Sequence, residues 1–97
     1  MSERQLYFSH KSKQDLDDIW DYLADFSEDA ADKQIDRIAE KCRFLRAMPN
    51  IGLERDDLVE GLRRVLEGSY VIFYRVFDER IEIVRILQNR QDFKRQF

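Results

Sequence analysis

The sequence predicts a single α+β domain over residues 1–97, in which an N-terminal strand and a helical hairpin pack on a small, mostly antiparallel sheet. Three observations carry this. Two apolar stripes recur at helical spacing between Leu16 and Met48, and two β-rich runs, Tyr70–Phe77 and Ile81–Leu87, meet across the short charged turn at Asp78 and Glu79. The strands come last and the helices early, an order that separates the two layers.

Leu6-Tyr7-Phe8-Ser9 reads as a short opening strand. Ser12-Lys13-Gln14-Asp15 then matches a capping box, so a helix is expected to start at Ser12. Leu16, Ile19, Trp20, Leu23 and Phe26 fall on one face of it, and Asp17, Asp18, Asp21 and Asp25 take the wet side. Ser27-Glu28-Asp29 interrupts the pattern. Ala31, Ile35, Ile38, Cys42, Leu45 and Met48 make the second stripe, with Asp29 and Asp32 near its start and Lys41, Arg43 and Arg46 near its end, as the helix dipole favours. Pro49 stops that helix because it disfavours helical geometry in the residue before it.

Residues 53–60 read as an acidic connector, and Leu62-Arg63-Arg64-Val65-Leu66 as a strand that turns at Glu67-Gly68-Ser69. In the final hairpin Tyr70, Ile72, Tyr74 and Val76 share one face, and Val71, Phe73, Arg75 and Phe77 the other. One face is expected to pack within the chain. Arg75 and Arg85 then point to solvent or to an acidic partner. The conformation of the tail from Asp92 to Phe97 stays open.

At 97 residues and 43% hydrophobic content, the chain should bury roughly 65% of its unfolded surface, enough for one small core. No apolar run approaches membrane-spanning length, and the polar opening Met1-Ser2-Glu3-Arg4-Gln5 has no signal-peptide pattern, so a cytoplasmic protein without membrane contact is expected. The net charge of −3 hides an asymmetry. Residues 11–40 carry ten acids against four bases, whereas residues 62–97 carry eight bases against five acids. Overall acidity argues against direct, sequence-specific binding of nucleic acid, which favours a strongly basic domain.

The chemistry open to this composition is narrow. One His (His10) and one Cys (Cys42) give no zinc spacing, and the glycines at 52, 61 and 68 mark turns instead of a phosphate loop, so neither a metal nor another cofactor is called for. No serine sits in a glycine-flanked elbow beside His10. Metal-free RNA cleavage needs a base, an acid and cations, yet the sheet offers arginines without histidine or lysine among them. Arginine clamps anions well and shuttles protons poorly, which favours a binding protein with no catalytic residue.

The chain resembles the RelE/ParE superfamily of toxins from bacterial type II toxin–antitoxin modules, closest to the ParE branch. The resemblance rests on the helical pair with Leu16, Ile19 and Trp20, on Met48-Pro49-Asn50-Ile51-Gly52, on Gly61-Leu62-Arg63-Arg64, on the run from Gly68 to Arg75, and on Ile83-Val84-Arg85-Ile86-Leu87. It implies a RelE/ParE-like fold and a toxin that blocks DNA gyrase by direct binding and is silenced in a hetero-oligomer with a ParD-like antitoxin. RelE-type relatives instead cleave messenger RNA on the ribosome, and a non-toxic interaction module on the same fold is a further alternative. Val71 stands where nucleolytic relatives commonly carry arginine, Gln88 where the family often carries histidine, and the C-terminal His or Tyr of many nucleases is absent. These departures argue against ribonuclease activity.

On this reading Trp20 and Phe26 serve as apolar anchors for the antitoxin, and Arg63, Arg75 and Arg85 as partners for its carboxylates. Trp20 sits on the core stripe, where plain core is the commoner role, and the arginines fit ordinary surface equally. Arg85, Arg90, Phe93 and Phe97 are the expected gyrase contacts.

Overall fold

The computed structural model describes residues 4–90 and 92–97; the polar opening Met1-Ser2-Glu3 lies outside them. Strand β1 (Gln5–Phe8) leads into helices α1 (His10–Ala24) and α2 (Glu28–Phe44), and strands β2 (Leu53–Glu54), β3 (Leu62–Glu67), β4 (Tyr70–Val76) and β5 (Arg80–Gln88) follow. A 3₁₀ turn at Phe93–Gln96 closes the chain. The sheet order is β1-β5-β4-β3-β2, antiparallel throughout except that β1 runs parallel to β5. This is the expected α+β architecture.

Several boundaries differ from the sequence expectation. α1 begins at His10, and its cap is Ser9, whose hydroxyl accepts from the Ser12 amide. Ser12 is itself buried and donates back to the Ser9 carbonyl at 2.9 Å. Ser9 wins because it also donates to the Val84 carbonyl at 2.8 Å, a tertiary bond that Ser12 cannot make. Ser27 caps α2 by accepting from the Ala30 amide, so the break between helices is also a start signal. The connector at 53–60 contains the short edge strand β2. Phe26 and Met48 lie beyond the ends of their helices and stay exposed, which removes them from the core stripes.

The main core lies between the helices and one sheet face, where Ile19, Ile38, Cys42 and Leu45 meet Ile72, Tyr74, Ile81 and Ile83. The opposite face is covered as well. Leu62, Val71, Phe73 and Leu87 form a second cluster under Leu58, Val59, Val84, Phe93 and Phe97. The hairpin therefore packs on both sides, because the tail folds back over the face that sequence periodicity leaves open. Phe93 and Phe97 each meet the Phe73 ring edge-on, with centroids 4.9 and 5.1 Å away.

Gly52 holds the α2–β2 connection close to the sheet. Its amide donates at 2.9 Å to the Tyr74 hydroxyl, which donates in turn to the Pro49 carbonyl at 2.8 Å. Burial raises the Tyr74 phenol above its ordinary range. The sequence Pro49-Asn50-Ile51-Gly52 thus ends in a glycine because a phenol occupies the space of a Cβ.

Candidate functional site

The most constrained polar cluster lies where β1 ends and α1 begins. The Ser9 amide donates to the Ile83 carbonyl at 2.9 Å, and α1 then runs beside the margin of β5 that β1 no longer covers. Asp15 closes that margin. Its carboxylate accepts from the Ile86 amide at 2.9 Å and from Nε and Nη2 of Arg85 at 2.8 and 2.9 Å. The paired fork fixes a guanidinium only 13% exposed. Nη1 of Arg85 reaches the Gln96 side chain at 3.2 Å and its carbonyl at 3.4 Å, so one arginine ties α1, β5 and the tail together.

A register shift in β5 places Arg85 there. Phe73 faces Arg85 while Tyr74 faces Ile83, which leaves Val84 as an extra residue on β5. The bulge breaks the alternation on which a sequence reading relies. Hydrogen bonding to Asp15 raises Arg85 above the usual arginine range and so holds its charge. Asp15 is the residue of this cluster that sequence reasoning missed. Its signal was its position four residues before Ile19, on the apolar side of the helix.

A groove of about 350 Å³ opens beside this pair, lined by Asp18, Ile19, Tyr22, Tyr70, Ile86 and Gln88 among others. Tyr22 and Phe26 lie edge-to-face with centroids 5.6 Å apart, and Phe26 is 76% exposed. Trp20 belongs to the helical hairpin: its indole donates to Asp32 at 2.8 Å across α1 and α2.

The other predicted residues are dispersed. Arg63 is held by the Gly52 and Asn50 carbonyls at 2.8 and 3.3 Å and faces Glu54 at 3.4 Å. Arg75 lies over the Phe77 ring at 5.2 Å. Arg90 is exposed, whereas Phe93 and Phe97 are half-buried against Phe73. Arg85, Phe93 and Phe97 are thus brought together, while Arg63 stands two strands away on β3.

As chemistry, this is a surface of fixed cations and aromatics. Burial pushes the Cys42 thiol up to about 12, which leaves it protonated and unreactive. Among the described residues no group of three or more His, Cys, Asp and Glu side chains could hold a metal ion, and no helix is long and apolar enough to cross a membrane.

The architecture is that of RelE/ParE superfamily toxins. The solved chromosomal ParDE toxin–antitoxin system from P. aeruginosa aligns with a TM-score of 0.75 and 30% identity over 89% of this chain and 96% of that one. The RelBE2 toxin–antitoxin complex from Mycobacterium tuberculosis shares the fold, with a TM-score of 0.65 at 18% identity over 91% of this chain and all of that one. In sequence, residues 6–93 match the family described as "ParE toxin of type II toxin-antitoxin system, parDE". The toxin ParE1 of Mycobacterium tuberculosis is 34% identical over 97 residues, covering 98% of each chain. The ParE1 toxin of Caulobacter vibrioides is 38% identical over 88 residues, covering 81% of this chain and 82% of its own. The chain belongs to the ParE family of type II toxin–antitoxin toxins.

Proposed function

We propose that this chain is a non-enzymatic toxin that inhibits DNA gyrase by binding it and is neutralised by a cognate antitoxin. The observation that carries this is the state of the sheet arginines. Arg63, Arg75 and Arg85 are held by carbonyls, an aromatic ring and a carboxylate, with no imidazole or amine among those partners to move a proton. Such a set supports contact better than bond cleavage. The antitoxin reads the exposed Tyr22–Phe26 aromatic pair and the adjoining groove, which Arg85 lines; Trp20 acts by fixing the helical hairpin, and Arg63 and Arg75, elsewhere on the sheet, are further partners for its carboxylates. Gyrase is contacted by the tail, through Arg90 and the exposed edges of Phe93 and Phe97, with Arg85 holding the tail in place.

Induced expression with assays of gyrase supercoiling and transcript integrity tests the reading. Blocked supercoiling with intact transcripts is the expected result; transcripts cut at defined codons would overturn it. Arg90→Glu should relieve the supercoiling block while leaving antitoxin capture unchanged, because Arg90 is exposed and lies outside both core clusters. Undiminished toxicity of that variant would remove the tail from the gyrase contact.

A further inference from the structure

The groove beside the Asp15–Arg85 pair gathers oxygen atoms around an apolar floor. Ile19 and Ile86 are buried beneath it, and Asp18, Tyr22 and Gln88 stand exposed along its rim. Tyr70 also lines it and is only 5% exposed. Burial raises its phenol, outweighing hydrogen bonding to Gln88, so the hydroxyl stays protonated at neutral pH. Ile86 sends its amide to Asp15 at 2.9 Å. A strand residue's carbonyl leaves on the same side as its amide, so the Ile86 carbonyl also turns from β4 toward α1.

The chain supplies no cation to these oxygens. Asp18 follows Asp15 by three residues along α1 and has no ion-pair partner among the described residues. Arg85 lines the groove, yet its Nε and Nη2 are held by Asp15 and its Nη1 by Gln96. An anion entering here would meet Asp18 with no free cation to offset it. The Tyr22 side of the groove is aromatic. That residue is 55% exposed and meets Phe26 edge-to-face, a contact that covers at most one face of its ring.

We propose that this groove receives an arginine side chain from a partner polypeptide. The guanidinium pairs with the Asp18 carboxylate through two N–H groups and lies over the free face of Tyr22, and a third N–H reaches the Ile86 carbonyl. Its methylenes cover Ile19 and Ile86. Lysine fits less well, because an ammonium is a point charge that can neither stack on the ring nor form the planar pair. A second copy of this chain presenting the same face is disfavoured, since Asp17, Asp18 and Asp21 would meet their own copies. The inference rests on the reading of this groove as a protein-docking surface and adds the chemistry of what it receives.

The test uses the full chain, labelled for amide NMR, and three synthetic valine–threonine peptides that carry arginine, lysine or citrulline at one central position. Citrulline keeps the shape of arginine without its charge. The arginine peptide should shift the Ile19, Tyr22 and Gln88 amides and bind about tenfold more tightly than the citrulline peptide, as a charge-assisted pair does against a neutral one. The lysine peptide should fall between them. Asp18→Asn should bring the arginine peptide down to the citrulline level with the melting temperature unchanged, because Asp18 is exposed. Tyr22→Leu should narrow the preference for arginine over lysine. The proposal is overturned if arginine and citrulline peptides bind alike, if the shifts map to another surface, if none of the three binds, or if the chain dimerises through this face. Antitoxin capture separates the inference from the reading beneath it. An Asp18→Asn chain that loses the arginine peptide yet captures antitoxin as the parent does would uphold the inference and remove the antitoxin from the groove.

Discussion

Tyr74 decides what position 52 can be. A Cβ on Gly52 would sit 2.6 Å from the Tyr74 hydroxyl and 2.7 Å from the Arg64 carbonyl, so Gly52→Ala must push backbone away from backbone. Overpacking of this kind costs about 1–3 kcal/mol. Tyr74→Phe leaves the Gly52 amide and the Pro49 carbonyl without their bonds, at a further cost of about 1–3 kcal/mol. The two should not add, since removing the hydroxyl relieves one of the three clashes and leaves the Arg64 carbonyl at 2.7 Å and the Tyr74 Cε1 at 2.8 Å; urea midpoints of the single and double variants measure this. Asp15 is the other residue on which much depends. Asp15→Ala strands a partly buried guanidinium and a buried edge amide together, and a loss of about 1–3 kcal/mol in the same assay is expected. Arg85→Lys retains charge but not the fork, so it should recover only part of the wild-type stability.

At the level of elements, much was legible. The helical stripes, the β3 strand and the β4–β5 hairpin all follow from side-chain periodicity, because each buries a face against something continuous. What was not legible depended on contacts distant in sequence. Ser9 outranks Ser12 as a cap through its bond to Val84, and β2 is too short to carry any pattern. The bulge at Val84 turns Arg85 toward Asp15, and no local rule announces it. The 3₁₀ tail is the clearest case, since it is ordered mainly by Phe73, about twenty residues upstream. Phe93→Ala combined with Phe97→Ala should release it. Hydrogen exchange should then show faster amides at 93–96, while Val71 and Phe73 remain protected by the ladder to β5. Unchanged exchange at 93–96 would mean that the contact of Gln96 with Arg85 alone orders the tail.

For the whole molecule, charge and burial together set the pH range in which the fold holds. Cys42 is raised from 9.0 to about 12, and burial raises Tyr70 and Tyr74 as well. In each case the folded chain holds its proton more tightly than the unfolded chain does. The resulting stabilisation is complete below the unfolded values and declines as pH rises toward the folded ones. Stability should thus be insensitive to these groups at neutral pH and should fall above about pH 9, by about 1.4 kcal/mol per unit from the thiol alone. Cys42→Ala should flatten that alkaline slope in thermal melts taken across the range. Arg85, raised above its ordinary range by its hydrogen bond to Asp15, adds nothing to the slope in this window because its charge persists throughout it.

The pairing of β1 with β5 has a consequence for synthesis. β1 finds its sheet neighbour in β5, far downstream, so a nascent chain can assemble its helical hairpin but must leave β1 orphaned until β5 clears the ribosome. Completion of the sheet waits for β5. A ribosome stalled before β5 would therefore display an unfinished domain, one that lacks both its sealed sheet and its folded-back tail.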